Sequence, residues 1–91
     1  MADNAGGNNE VEYLTDRVES QLMQLYGSPV LTGEELKAAL GYKSLDALRQ
    51  AIARDTVPVP LFKMEHRRGK YALVRDIARY LAGLRCKQSD L

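Results

Sequence analysis

The segment HRRGKY, residues 66–71, holds the densest group of positive charge in the chain, with His66, Arg67, Arg68 and Lys70 around one glycine. Guanidinium and ammonium groups clustered in this way bind phosphate oxygens. Because two adjacent arginines at a turn add nothing to a hydrophobic core, a functional role is favoured over a chance run of charge. His66 is the weakest member, since a histidine is mostly neutral at pH 7 and is more often a turn residue than a sensor.

A second group of polar side chains lies in SLDALRQAIARD, residues 44–55. Asp46, Gln50 and Arg54 fall on the face of a predicted helix opposite its apolar stripe, and Arg49 falls on a flank. The amide of Gln50 has the geometry to bind adenine, and Arg49 or Arg54 could bind guanine or phosphate. The alternative is a solvated helix face on which Asp46 pairs with Arg49 or Gln50. For Asp46 this structural interpretation is favoured, because a carboxylate near a helix N-terminus is stabilising in any protein.

The residues that could support catalysis or metal binding are few. Cys86 and His66 are the single cysteine and the single histidine, which excludes an internal disulfide and a zinc ligand set. There is no glycine-rich phosphate loop, no recognisable pair of carboxylates and no nucleophile motif. We therefore predict a protein that is not an enzyme, has no cofactor and has no evident small-molecule ligand.

The composition, 45% hydrophobic and 27% charged, is that of an ordinary globular domain. The charge is unevenly distributed, although the formal net charge is only +1. Residues 1–31 contain one cation, Arg17, and five carboxylates, a net charge of −4. The rest of the chain has twelve cations and seven carboxylates, a net charge of +5. An acidic first segment before a basic body favours an oriented electrostatic surface. The short apolar runs exclude a membrane span and a signal peptide, and we predict a cytoplasmic protein.

The first helix that must position these residues is predicted over Val11–Tyr26. Its apolar positions step by three and four along the chain, and Gly27 and Pro29 stop it. They are Val11, Leu14, Val18, Leu22 and Leu25. Residues 1–10 are rich in Asn and Gly and are predicted to be a disordered arm, residues 11–85 a single domain, and residues 86–91 a flexible tail.

Two further helices are predicted with a sharp turn between them. Thr32 and Glu35 form a capping-box pattern at the start of the second helix, with Leu31 placed to pack on Leu36. Gly41 suits the left-handed residue that ends it. Ser44 is positioned to cap the third helix, which has Leu45, Leu48, Ala51 and Ile52 on its apolar side.

The segment VPVPLFKMEHRRGKYAL is predicted to form a β-hairpin. Pairing Met64 with Tyr71 and Phe62 with Leu73 puts both pairs on one buried face and leaves HRRG as the loop. Lys63, Glu65, Lys70 and Ala72 then take the wetter face, while Phe62, Met64, Tyr71, Tyr80 and Leu81 are predicted to be core. A last helix is predicted over Val74–Leu84.

The order of these elements predicts a mainly α fold with a small β-hairpin, a winged helix-turn-helix of four helices and a two-stranded wing. In this fold the wing lies beside the second helix of the turn motif. The wing can therefore contact a phosphate backbone while that helix enters the major groove of double-stranded DNA.

Residues 30–84 resemble the excisionase-type branch of the MerR-like winged helix-turn-helix DNA-binding domains, which includes AlpA-type and pyocin-activator-like regulators. The resemblance depends on the short capped helix ending at Leu40-Gly41, on Val57-Pro58, on the Arg/Gly hairpin and on the Asp76-Ile77…Tyr80-Leu81 helix. Departures from the family pattern are an extra residue between Gly41 and Ser44, Leu45 at an often basic position, and Asp46.

The resemblance implies a recognition helix at residues 44–54 and a basic wing at residues 66–70. It also implies a sequence-specific DNA-binding protein, either a small transcription regulator or an excisionase-like factor of a bacterial or phage mobile element. The candidate DNA-binding residues are Lys43, Ser44, Asp46, Ala47, Arg49, Gln50, Arg54, Lys63, His66, Arg67, Arg68 and Lys70.

Two alternatives remain open from the sequence. The helix at residues 11–26 could pack within its own domain or form a homodimer, and a core of this size favours the dimer modestly. The whole fold could also serve as a protein–protein interaction module, because a fold does not fix a function.

Overall fold

The computed structural model describes residues 6–88. Within that range the chain is mainly helical, with four α-helices and a two-stranded antiparallel sheet, as the sequence predicts. The elements are α1 Gly6–Tyr26, β1 Val30–Leu31, α2 Gly33–Leu40, α3 Leu45–Ala53, β2 Ala72–Leu73 and α4 Val74–Gln88. No helix in the described range is both long enough and apolar enough to cross a membrane.

Both terminal helices are longer than predicted. Helix α1 begins at Gly6 rather than at the predicted Val11, so residues 6–10 of the predicted arm belong to the helix, while residues 1–5 lie outside the described range. Helix α4 continues to Gln88, so the predicted tail is helical at residues 86–88, while residues 89–91 lie outside the described range. In both cases the helix continues through residues that carry no apolar periodicity.

Helices α1 and α4 pack against each other within one chain. On α4, Ile77, Ala78 and Ala82 are fully buried, and the small side chains of the two alanines allow a close approach of a neighbouring helix. The side chain of Thr15 is fully buried on α1. Leu25 belongs to the predicted apolar stripe but is 71% exposed, which corrects that part of the prediction. The packing of α1 within its own chain is therefore observed, while a homodimer remains a prediction.

Thr15 places a polar atom in this interface. Its Oγ1 is buried and has no hydrogen-bond partner within residues 6–88. A buried hydroxyl without a partner loses its hydrogen bonds to water and gains none in return.

We expect Thr15→Val, which keeps the side-chain shape and removes the hydroxyl, to raise the free energy of unfolding by about 1 kcal/mol. The melting temperature would rise by roughly 4–8 °C for a domain of this size. Urea denaturation and thermal melts followed by circular dichroism measure both. Thr15→Ser, which keeps the hydroxyl and loses the methyl group, is the control and is expected to destabilise; an unchanged or lower melting temperature for the valine variant would contradict the prediction.

The turn between α2 and α3 forms as predicted. Gly41 has a left-handed φ of 82°, which suits glycine because a Cβ is disfavoured there. The amide of Gly41 donates to the Ala38 carbonyl and that of Tyr42 to the Lys37 carbonyl, the paired bonds of a Schellman motif. The hydroxyl of Ser44 accepts the Ala47 amide at 3.0 Å and caps α3. Two helix-end signals in the sequence, Gly41 and Ser44, therefore fix the turn between α2 and α3.

The predicted capping box at the start of α2 does not form. Thr32 is the residue before the helix, but its side chain makes no capping hydrogen bond. Gly33, which follows it, has a left-handed φ of 58°, so the chain enters α2 without the regular capping geometry. The Thr32 hydroxyl donates instead to the Lys70 carbonyl oxygen at 2.7 Å. Leu31 and Leu36 are both buried in one cluster, consistent with the predicted contact between them.

The strand pairing differs from the predicted hairpin. Strand β2 pairs with β1, with Val30 opposite Leu73 and Leu31 opposite Ala72. The predicted pairs, Met64 with Tyr71 and Phe62 with Leu73, are wrong. Within the described residues, the segment before the cationic residues forms a single isolated bridge, between Phe62 and Tyr71. Their amides and carbonyls exchange hydrogen bonds of 2.9 and 2.8 Å. The next such pair along this ladder would require an amide from Pro60, which proline lacks.

The change of register alters which side chains are buried. Ala72, predicted on the wet face, is fully buried, whereas Leu73 is 42% exposed and Phe62 is 36% exposed. Tyr71 is buried, and Met64, Tyr80 and Leu81 are half-buried. The prediction of a core position is therefore wrong for Phe62. The buried core lies between the sheet and the helices, and its members are Leu31, Leu36, Leu48, Val59, Ala72, Val74 and Ile77.

Candidate functional site

Helix α3 buries one side and presents the other to solvent. Leu48 and Ala51 are buried, which fixes the rotation of the helix about its axis. The predicted contact residues Ser44, Asp46, Arg49, Gln50 and Arg54 are exposed, and Ala47 is half-buried. The polar face that the sequence predicts is therefore accessible along the length of the helix.

One ion pair already occupies part of this face. Arg49 Nη1 lies 3.5 Å from Asp46 Oδ1, which is the solvated-face alternative that the sequence left open. Such an exposed pair three residues apart on a helix is weak and is readily exchanged for another partner. The Gln50 side chain makes no hydrogen bond within residues 6–88, so its amide is available to a ligand.

Residues 63–70, called here the cationic loop, form a longer loop than the predicted HRRG. The loop is closed by the Phe62–Tyr71 bridge, and the Arg67 amide donates to the Met64 carbonyl at 3.2 Å. Within this turn His66 has a left-handed φ of 62°, so it serves the turn through its backbone. Lys63, His66, Arg67 and Arg68 are exposed, and Lys70 is half-buried.

The cationic loop and α3 meet at a shared cavity of about 200 Å³. Arg49 lines it from α3, and Gly69 and Lys70 line it from the loop. Its other lining residues are Thr32, Gly33, Leu36, Leu45, Leu48 and Ile52. The base of the loop therefore lies beside α3, with two predicted cationic residues on one cavity. Lys70 also lines a second cavity with Ile52 and Asp55, at the end of α3.

Most cations of this region are not neutralised by the protein. Within the described residues, six of the predicted contact residues make no ion pair with a carboxylate: Lys43, Arg54, Lys63, Arg67, Arg68 and Lys70. Lys43 is exposed in the turn before α3, next to Tyr42, which packs half-buried against the core. Exposed cations without a carboxylate partner contribute a positive potential that attracts polyanions.

Three carboxylates of α1 are paired with an arginine of α4. Arg75 donates to Glu19 at 2.7 Å, to Asp16 at 2.9 Å and to Glu12 at 3.2 Å. These three carboxylates are called here the acidic cluster. The hydrogen bonds to Asp16 and then to Glu19 raise the pKa of Arg75 above its ordinary value.

Sequence reasoning missed Arg75 as the partner of the acidic cluster. Glu12, Asp16 and Glu19 are four and three residues apart, which places them on one side of a helix. That spacing is a signal for a cationic partner on a neighbouring helix. Which helix supplies it depends on the tertiary packing, and Arg79 adds a second contact to Glu12 at 3.7 Å.

The remaining features of the surface do not belong to this site. The cavity of about 220 Å³ between α1 and α4, lined by Glu10, Tyr13, Leu14, Arg85 and Cys86, contains none of the predicted contact residues. Across residues 6–88, no group of three or more His, Cys, Asp or Glu side chains could hold a metal ion.

The described geometry thus places the base of the cationic loop beside α3, with Arg49 and Lys70 on one cavity. Comparisons with protein-family models, with curated proteins and with solved structures found no match to this chain, so the family resemblance of residues 30–84 remains a prediction from the sequence.

Proposed function

We propose that the protein is a non-enzymatic, sequence-specific binder of double-stranded DNA. In this proposal α2 and α3 form the helix-turn-helix, α3 is the recognition helix in the major groove, and the cationic loop is the wing on the phosphate backbone. This role is that of a small transcription regulator or an excisionase-like factor, in line with the resemblance of residues 30–84.

The observation that carries the proposal is the cavity shared by α3 and the cationic loop. Arg49 and Lys70 line it together, so one flank of α3 and the base of the loop lie side by side. A duplex contacted by α3 would then lie within reach of the loop's cations, which is the division of labour between base and phosphate contacts in DNA recognition.

The charge distribution also supports the proposal. The acidic cluster, which would repel a duplex, is paired with Arg75 and Arg79 on α4. The cations of α3 and the loop are mostly unpaired within the described residues, so they can neutralise phosphates and release the counterions bound to them.

Fluorescence anisotropy with a pool of random labelled duplexes at low salt tests the proposal. We expect binding that weakens steeply as salt is raised, because counterion release supplies much of the affinity. Absence of binding at low salt, or binding that is insensitive to salt, would contradict the proposal. Selection of bound sites from a random duplex library then gives the preferred sequence.

We expect Gln50→Ala to blur the base preference at one position of the selected site. Loss of a bidentate amide contact reduces discrimination between bases by roughly tenfold at that position, with a smaller effect on total affinity. Gln24→Ala, at an exposed position of α1, is the matched control. Site selection with both variants measures the change, and a retained preference in the Gln50 variant would remove this residue from the base contacts.

A protein–protein interaction module is the second candidate function. Two observations favour it: the Asp46–Arg49 ion pair reduces the positive charge of α3, and the cavity beside α3 has Leu36, Leu45 and Ile52 in its lining. An apolar cavity with a cationic edge is suited to an apolar side chain of an acidic peptide. Light scattering with candidate partners, combined with the absence of a salt-dependent DNA complex, would favour this candidate.

A further inference from the structure

The Thr32 hydroxyl connects two parts of the molecule that are far apart in the chain. Its Oγ1 donates to the carbonyl oxygen of Lys70 at 2.7 Å, across 38 positions of sequence. Thr32 lies between β1 and α2, and Lys70 is the last residue of the cationic loop before the bridge at Tyr71. The bond is partly buried, so water competes with it less than with an exposed hydrogen bond.

This bond is the single hydrogen bond by which the loop, among the described residues, is tied to another part of the fold. Inside the loop the backbone makes one further bond, from Arg67 to Met64. The Phe62–Tyr71 bridge closes the base of the loop but leaves its angle to α3 to be set by other contacts. Thr32 also lines the cavity between α3 and the loop, together with Gly69 and Lys70.

Thr32 occupies the position from which a threonine would ordinarily cap α2. Its side chain makes no capping bond, so the hydroxyl is committed to the loop rather than to its own helix. An ideal Cβ on Gly69 would lie 3.7 Å from Thr32 Oγ1, which shows that the loop backbone approaches this hydroxyl closely at two successive residues.

From this geometry we infer that Thr32 is a positioning residue for the cationic loop: its hydroxyl holds the end of the loop beside α3 and so sets where Arg67 and Arg68 lie relative to that helix. The consequence for DNA binding rests on the proposed function. The consequence for the mobility of the loop does not, because it follows from the hydrogen bond alone.

The test uses the full-length chain and compares Thr32→Val, which removes the hydroxyl, with Thr32→Ser, which retains it. Thr56→Val is the matched control, since the Thr56 hydroxyl also donates to a backbone carbonyl, that of Ala51 at 3.3 Å, and this bond does not involve the loop. Limited trypsin digestion under native conditions measures cleavage after Arg67 and Arg68. Anisotropy with the random duplex pool measures DNA affinity.

We expect Thr32→Val to raise the rate of cleavage in the loop by about threefold to tenfold, the range that loss of one partly buried hydrogen bond implies. DNA affinity would fall by a similar factor, and Thr32→Ser would restore both values. In a background of Arg67→Ala and Arg68→Ala, the effect of Thr32→Val on affinity would disappear, because the side chains that it positions are gone.

Loop cleavage at the parent rate in Thr32→Val, or an equal increase in Thr56→Val, would overturn the inference. If the valine variant melts at a lower temperature than Thr56→Val, the smaller Thr32→Ala replacement is subjected to the same comparison. If the parent protein binds no duplex, the proposed function fails, and faster loop cleavage specific to Thr32→Val still supports the positioning role.

Discussion

Replacing both Arg67 and Arg68 with alanine is expected to weaken DNA binding by roughly thirtyfold at low salt, and by a similar factor for every duplex sequence. Both side chains are exposed on the cationic loop and have no ion-pair partner within residues 6–88. In the free protein these side chains are solvated and make no ion pair, so no ion pair has to be broken before they contact phosphates. Anisotropy titrations against the random duplex pool and against a selected site measure the loss.

The salt dependence identifies the cause of the loss. A plot of log affinity against log salt concentration has a negative slope. If each arginine neutralises one phosphate, the magnitude of this slope is smaller by about two in the double variant. A base-reading residue behaves differently, because its removal changes the preference among sequences and leaves most of the slope. The two variants, in the loop and at Gln50, thus separate backbone contacts from base contacts.

The control is a second double variant with the same change of net charge. Arg17 on α1 and Arg85 on α4 are exposed arginines, and neither lines the cavity between α3 and the cationic loop. Replacing both with alanine is expected to change affinity by no more than about twofold, through long-range charge alone. Equal losses in the two double variants would show that net charge, rather than the loop, determines binding.

The helices of this fold could be predicted because their signals are local. The apolar spacing of α3, its cap at Ser44 and the left-handed Gly41 each depend on a few neighbouring residues, and the structure confirms all three. The exposed face of α3 follows from the same periodicity, so its candidate contact residues could be predicted from the sequence. The structure confirms which face of α3 is exposed, because the burial of Leu48 and Ala51 fixes the rotation of the helix about its axis.

The sheet and its consequences could not be predicted in the same way, because strand partners are chosen across the chain. The hairpin prediction paired β2 with the segment directly before it in the chain. In the structure β2 pairs with β1, which precedes α2. The nearer segment forms one bridge with Tyr71, and Pro60 lacks the amide needed for the next hydrogen-bonded pair on its side. Because side chains alternate along a strand, the error of register exchanged the positions of Ala72 and Leu73.

The same limit applies to side chains that act between distant elements. Thr32 has the sequence signal of a helix cap, and that signal is local, but the acceptor of its hydroxyl is Lys70 in a segment that only the folded chain brings near. Arg75 is similar, since its three carboxylate partners are on α1. Local patterns therefore identify residues that can form contacts, and the tertiary packing decides which contacts form.

Burial decides which apolar positions contribute to stability, and a matched pair of leucines tests this directly. Leu36 on α2 is fully buried in the core, whereas Leu25 on α1 is 71% exposed, although the sequence predicts an apolar contact for each of them. We expect Leu36→Ala to reduce the free energy of unfolding by about 3 kcal/mol, from lost apolar burial and an unfilled cavity. Urea denaturation with a two-state fit measures this loss.

The corresponding change at Leu25 is expected to cost less than about 0.5 kcal/mol, as for most surface substitutions. Both substitutions are leucine to alanine within a helix, so the difference between them reports burial rather than helix propensity. Since small domains have total stabilities of only about 5–15 kcal/mol, the Leu36 variant would also show a clearly lower melting temperature. A large loss at Leu25 would mean that this side chain is covered in solution, as in the homodimer through residues 11–26 that the sequence leaves open, and its dependence on protein concentration would then distinguish association from packing within one chain.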